Sequence, residues 1–200
     1  MILPLSRLRA GLGLVFGLIL LFMKSALIAN PVFYPAQGSS IGKHLVLIAS
    51  DHEYRAEETI PALARILSFH HGFDCTVLFG LNAQGEIDAG ASDIPGLEVL
   101  AAADGMVIFT RFLALPAEQM QHIDAYLQRA GPVVGLRTST HAFNYPDERK
   151  DDPFYRHHFR YEGDDYWGGF GHQVLGQSWV GHYGKNHVQS TLITVRPEQA

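Results

Sequence analysis

A single cysteine, Cys75, stands in a chain of 200 residues. One thiol cannot close a disulfide within the chain, build a Cys-rich zinc site or hold an iron–sulfur cluster. Basic charge is scarce as well: 15 Lys and Arg face 20 Asp and Glu, for a net charge of −5. That balance lacks the basic footprint nucleic acid demands, so nucleic acid is not an expected partner. The chain has no H-E-x-x-H pair, and its glycines form no G-x-G-x-x-G after a strand-like run. Neither a zincin helix nor a dinucleotide loop is therefore expected. Internal repeats are absent too. What is there, 47% apolar and 18% charged residues, suits one globular domain with a sizeable core.

The first thirty residues differ from the rest, and no acid precedes Asp51. Arg7 and Arg9 come before an apolar run over 10–23, which Lys24 closes. Basic, then apolar, then small residues is the layout of an export signal, and the run falls short of the ~20 residues of a usual membrane span. Ala29 is a candidate cleavage position, but Leu27 stands where a small residue is preferred. Residues 1–30 thus read as a signal peptide or an uncleaved N-terminal anchor. Without Arg7, Arg9 and Lys24 the remainder holds 12 basic and 20 acidic residues. An acidic exported domain without disulfides fits the cell envelope or periplasm, with membrane contact only through an uncleaved N-terminus.

Residues 31–43, rich in Pro, Gly and Ser, read as a linker before a domain over 44–200. The continuous apolar run 45–49 predicts a strand covered on both faces. A helix is expected over about 59–70, with Thr59 as cap, Pro61 in its first turn and Gly72 as its stop. In 73–79, Phe73, Cys75, Val77 and Phe79 share one side of a second strand, which makes the thiol an inert core group. A long loop over 80–96, a short helix over 97–102 and a strand over 106–109 follow. A further helix starts near Pro116, turns Met120, Ile123 and Leu127 inward and ends at Gly131, before a strand over 132–136. This alternation predicts an α/β fold with a parallel, doubly wound sheet. Beyond His141 the periodicity fades, and one more strand is expected over 189–195.

In open α/β sheets, ligands gather beyond the carboxyl ends of the strands. Three such ends carry polar loops, 50–55, 110–112 and 137–141. On one rim they bring together Asp51, His52, Glu53, Arg55, Arg111, Arg137 and His141. Glu53 or His141 would move a proton, since both can titrate near working pH if the cleft shifts them. Arg111 and Arg137 would hold a developing oxyanion or a ligand carboxylate; the alternative for Arg137 is an ion pair with Glu53 or Asp51. The turn after Gly135 has the layout of a nucleophile elbow. Its nucleophile slot holds Arg137, and Ser139 lacks the glycine context, which argues against a serine triad. Six of the 11 histidines lie from His141 onward. A divalent metal stays open, with His141 and His182 the residues to test, and no other cofactor is expected. Tyr166, Trp167 and Phe170 are either an aromatic platform for a sugar ring or core.

Several of these segments, in order, resemble the ThuA-like (trehalose-utilisation) family of the class I glutamine amidotransferase-like superfamily. They include Lys43-His44-Leu45-Val46-Leu47-Ile48 with Asp51-His52-Glu53-Tyr54-Arg55, and His70-His71-Gly72-Phe73. Val107-Ile108-Phe109-Thr110-Arg111-Phe112, Gly135-Leu136-Arg137-Thr138-Ser139-Thr140-His141-Ala142-Phe143, Tyr166-Trp167-Gly168-Gly169-Phe170-Gly171 and Gly184-Lys185-Asn186-His187-Val188-Gln189-Ser190 complete the set. The resemblance implies a flavodoxin-like three-layer αβα sandwich with a mainly parallel sheet. It also implies a role in using disaccharides or keto-sugars. The superfamily's cysteine position is Arg137 here, so glutaminase activity is not implied. The expected site then has Glu53, Arg137 and His141 as its catalytic set. Around a sugar or keto-sugar ligand stand His52, Tyr54, Arg55, Arg111, Thr138, Trp167 and His182. Members usually continue for further strands and helices, so a truncated, degenerate member is one alternative and a non-catalytic carbohydrate-binding module another.

Overall fold

The computed structural model describes residues 31–185 and 188–190; the expected N-terminal signal or anchor, and residues 191–195 of the expected last strand, lie outside them. Among the described residues, five strands form one sheet: β1 (Val32–Tyr34), β2 (His44–Ser50), β3 (Asp74–Phe79), β4 (Gly105–Thr110) and β5 (Val133–Gly135), in the order β1-β3-β2-β4-β5. Three helices accompany them, α1 (Ala56–His71), α2 (Ala117–Gln128) and α3 (Gly169–Leu175), with short 3-10 turns that include Leu97–Ala102 and Arg137–His141. All pairings but β1–β3 are parallel. The expected linker therefore contains a strand: Val32, Phe33 and Tyr34 add antiparallel to β3.

The alternation of side chains along the central strands builds two cores. On one face Val46, Ile48, Leu78, Met106 and Ile108 pack with Leu97, Leu100, Met120, Ile123 and Phe170. On the other, Leu47, Ala49, Cys75, Val77, Val107 and Phe109 meet Ala56, Ile60 and Ala64 of α1. This is the α/β sandwich of flavodoxin type, in which a sheet buried on both faces needs apolar residues at every position, as the run 45–49 has. Burial pushes the Cys75 thiol up to about 11, with the Asp74 charge adding to it, so the thiol is a core group.

The first helix departs from expectation for a physical reason. The first helix begins at Ala56 rather than near Thr59, because the Arg55 carbonyl accepts both the Glu58 and Thr59 N–H groups. Pro61 consequently lies inside the helix instead of in its first turn. Phe170, one of the segment expected as platform or core, is core, on α3. That helix packs so tightly on the turn after β5 that a Cβ on Gly171 would overlap the Thr140 carbonyl oxygen.

Gly171→Ala should therefore cost about 3 kcal/mol in urea unfolding, since a backbone carbonyl cannot give way as a flexible side chain does. The control, Gly176→Ala, has open space around it but a φ of +74°. It should lose only about 1 kcal/mol, the cost of a left-handed alanine.

Candidate functional site

The parallel strands run β3-β2-β4-β5, so the chain steps to one side of β2 for β3 and crosses to the other for β4. At such a reversal the loops leave β2 and β4 in opposite directions and open a crevice beyond their carboxyl ends. The three loops at this rim are tied together through the backbone. Arg111 N–H donates to the Ser50 carbonyl at 3.1 Å, and Phe112 N–H donates to the His141 carbonyl at 3.0 Å.

Asp51 is the central tie. It is fully buried, and its Oδ1 accepts the Glu53 and Tyr54 N–H groups, both at 2.7 Å. Its Oδ2 accepts the hydroxyl of Thr138, across the rim on the loop after β5. Asp51, fully buried and bonded through both oxygens, thus holds the site's shape. Ser139 is also structural. Its buried hydroxyl is directed at the Ile108 and Leu136 carbonyls, at 2.7 and 2.9 Å, which removes it as a nucleophile.

Glu53, Tyr54, Arg137, Thr138, Thr140, His141, Trp179 and His182 line a cleft of about 280 Å³. Arg111 Nε lies 3.0 Å from Glu53 Oε2 without the alignment of a hydrogen bond, so this pair is chiefly Coulombic. The same guanidinium reaches His52 Nε2 at 2.6 Å and stacks over Phe112 at 4.5 Å. His52 is held from behind by the chain at Gly90, where a Cβ would come within 2.8 Å of the ring. The Arg137 guanidinium lies 3.7 Å from the centre of the Tyr54 ring. The ion pair of Arg137 with Glu53 or Asp51, the alternative drawn from the sequence, does not form: Glu53 faces Arg111, and Asp51 is taken by amides and Thr138.

His141 is nearly buried, its ring 4.7 Å from Trp179 and 4.9 Å from Phe112. Its Nδ1 lies 3.3 Å from Thr140 Oγ1, which leaves Nε2 for a ligand. Burial, with help from the Arg111 and His182 charges and against Asp51 and Glu53, lowers its pKa from 6.5 to about 4. At neutral pH His141 is an uncharged hydrogen-bonding group, well away from the working-pH titration expected of it. Backbone strain collects at the same rim. Arg55, Phe112 and Arg137 have φ of 56°, 54° and 44°, and they follow β2, β4 and β5. Strain of this kind persists where surrounding contacts over-determine the backbone, and it clusters at functional sites.

Of the expected site residues, Glu53, Tyr54, Arg137, Thr138, His141 and His182 line the cleft, and His52 and Arg111 stand behind it. Arg55 points away into an exposed pair with Glu58. Trp167 is outside the cleft: it is 54% exposed and its ring meets His172. The aromatic wall is Trp179 instead, in contact with Phe112, Phe159 and His182 as well as His141. Trp179 sits in a stretch without periodicity, and its sole signal in the sequence is a bulky ring between Gly176 and Gly181. Among the described residues no three metal-ligating side chains gather in one place, and no helix is long and apolar enough to cross a membrane. A larger groove of about 560 Å³ lies between β1 and α1, but its lining carries Arg65 and His70 and no acid.

Compared with family models, with curated proteins and with solved structures, the chain matches none. Function is therefore read from the site's own geometry.

Two outcomes test this geometry. Asp51→Ala strands two partly buried N–H groups and the buried Thr138 hydroxyl and should cost about 3 kcal/mol in urea unfolding, whereas Asp51→Asn keeps an acceptor and should cost about 1 kcal/mol. The second concerns pH. The unfolded chain protonates His141 near 6.5 and the folded one only near 4. Between these values the unfolded state holds more protons, so stability falls as pH drops, by about 1.4 kcal/mol per pH unit. Burial lowers His157 and His158 in the same direction. The readout is thus the difference in slope between wild type and His141→Gln, which should amount to one proton.

Proposed function

We propose that this chain is a ThuA-like protein of carbohydrate utilisation, whose rim cleft binds a disaccharide or keto-sugar and which has no glutaminase activity. One observation carries the reading: Trp179 and an uncharged His141 stand ring to ring beside Glu53 and Arg137, at the rim where the strand order reverses. A sugar offers an apolar C–H face and a fringe of hydroxyls. An indole packs against the first, while an imidazole, a carboxylate and a guanidinium answer the second. Glutamine hydrolysis of the amidotransferase kind needs a thiolate at the turn after β5. Arg137 stands at that turn, and Cys75 lies in the core at the start of β3. In this reading residues 1–30 direct export, and the cleft works in the cell envelope.

If the chain is an enzyme, Glu53 is its proton-moving group and His141 orients the ligand. A second reading, a binding module without turnover, is favoured by one feature. Glu53 is held by Arg111, and His141 is not an imidazolium that could act as an acid at neutral pH. Isothermal titration with a panel of disaccharides and keto-sugars separates the readings from their failure. Trp179→Ala should weaken the best ligand at least about tenfold, the scale of one aromatic contact. Affinity unchanged in that variant would remove the cleft from the account. Product formation by wild type that disappears in Glu53→Gln supports catalysis. Binding without product in both supports the module.

A further inference from the structure

We propose that the cleft's ligand carries a carboxylate, making it a sugar acid rather than a neutral sugar, and that Arg137 is the group that reads it. The inference rests on the carbohydrate reading above and narrows it to a substrate class. Its basis is the charge inventory of the rim. Arg111 is matched to Glu53 and His52, and Arg55 to Glu58. Asp51 is taken up by two amides and Thr138. Among the described residues, Arg137 makes neither an ion pair nor a side-chain hydrogen bond; its contact is the Tyr54 ring, 3.7 Å away. A guanidinium stacked in this way uses its flat face, and its N–H edges stay open to a ligand.

The backbone points the same way. Arg137 holds a φ of 44°, a conformation that glycine adopts freely and an arginine only at a cost. The strained turn fixes this side chain at the mouth of the cleft, and Tyr54 fixes its head. The anion it suits is a carboxylate, whose two oxygens match the paired N–H groups of one guanidinium. A phosphate dianion calls for more positive charge than one cation beside Glu53 and Asp51 supplies. The Thr140 hydroxyl and His141 then face the sugar's neutral groups.

Calorimetric titration of the full chain tests this with matched pairs: D-glucuronate against D-glucose and D-galacturonate against D-galactose, with D-glucose 6-phosphate as the phosphate arm. In wild type, one uronate should bind at least about tenfold tighter than its neutral partner, the effect of one charge-assisted pair. The phosphate ester should bind less tightly than that uronate. Arg137→Gly relieves the positive φ, so it should melt no earlier than wild type while its acid-to-neutral ratio falls to about one. Arg137→Lys, a point charge without the fork, should keep part of the ratio. Equal binding of acid and neutral sugar in wild type, a ratio that survives in Arg137→Gly, or a tighter phosphate ester would each overturn the inference and leave the carbohydrate reading standing. Failure of all five to bind while a disaccharide or keto-sugar binds would overturn this inference alone, and failure of the disaccharides and keto-sugars as well would overturn the carbohydrate reading with it.

Discussion

The buried carboxylate of Asp51 is the constraint on which the site depends. A carboxylate removed from water must find donors, and this one finds them in the Glu53 and Tyr54 amides and the Thr138 hydroxyl. Those three bonds do two things. They curl the chain after β2 so that Glu53 and Tyr54 face the rim, and they tie that curl to the turn after β5. The strained backbone of Arg137 is one residue from Thr138, so the same bond that anchors the hydroxyl helps fix the guanidinium over Tyr54.

Charge around this tie is divided unevenly. Arg111 neutralises Glu53 and stands close enough to His141 to help burial keep that imidazole unprotonated. Arg137 is left with a stacking partner and no counter-ion among the described residues. A rim built from neutral donors, one paired carboxylate and one cation with open edges is better suited to recognising an oxygen-rich anion than to supplying a proton. The aromatic wall of Phe112, Phe159 and Trp179 limits water on the side where His141 sits, which is the physical source of its depressed basicity.

Much of the sheet was legible because its signals are local. The run 45–49 and the alternation of Phe73, Cys75, Val77 and Phe79 state burial directly, and strands alternating with helices restrict the topology. The convergence of the 50–55, 110–112 and 137–141 loops followed from that topology. Less local signals were missed. Val32–Tyr34 is too short to show a period, and only pairing with β3 makes it a strand. The helix Gly169–Leu175 hides in a glycine-rich segment, because Gly171 serves its close approach to the Thr140 carbonyl and Gly169 its approach to the His158 carbonyl, not flexibility. Trp167 and Trp179 are both large rings among glycines, and no pattern in the chain tells which one meets the cleft.

By itself, then, the sequence determined the order of the central strands and helices, the two-faced core and the set of polar side chains delivered to one rim, since each depends on spacing along the chain. Tertiary structure decided what those side chains are to one another. It spent Asp51 on amides, gave Arg111 rather than Arg137 to Glu53, chose Trp179 as the wall and stripped His141 of its charge. Ion pairing, ring contact and desolvation depend on distances between residues far apart in the chain, and such distances exist only once the fold has closed.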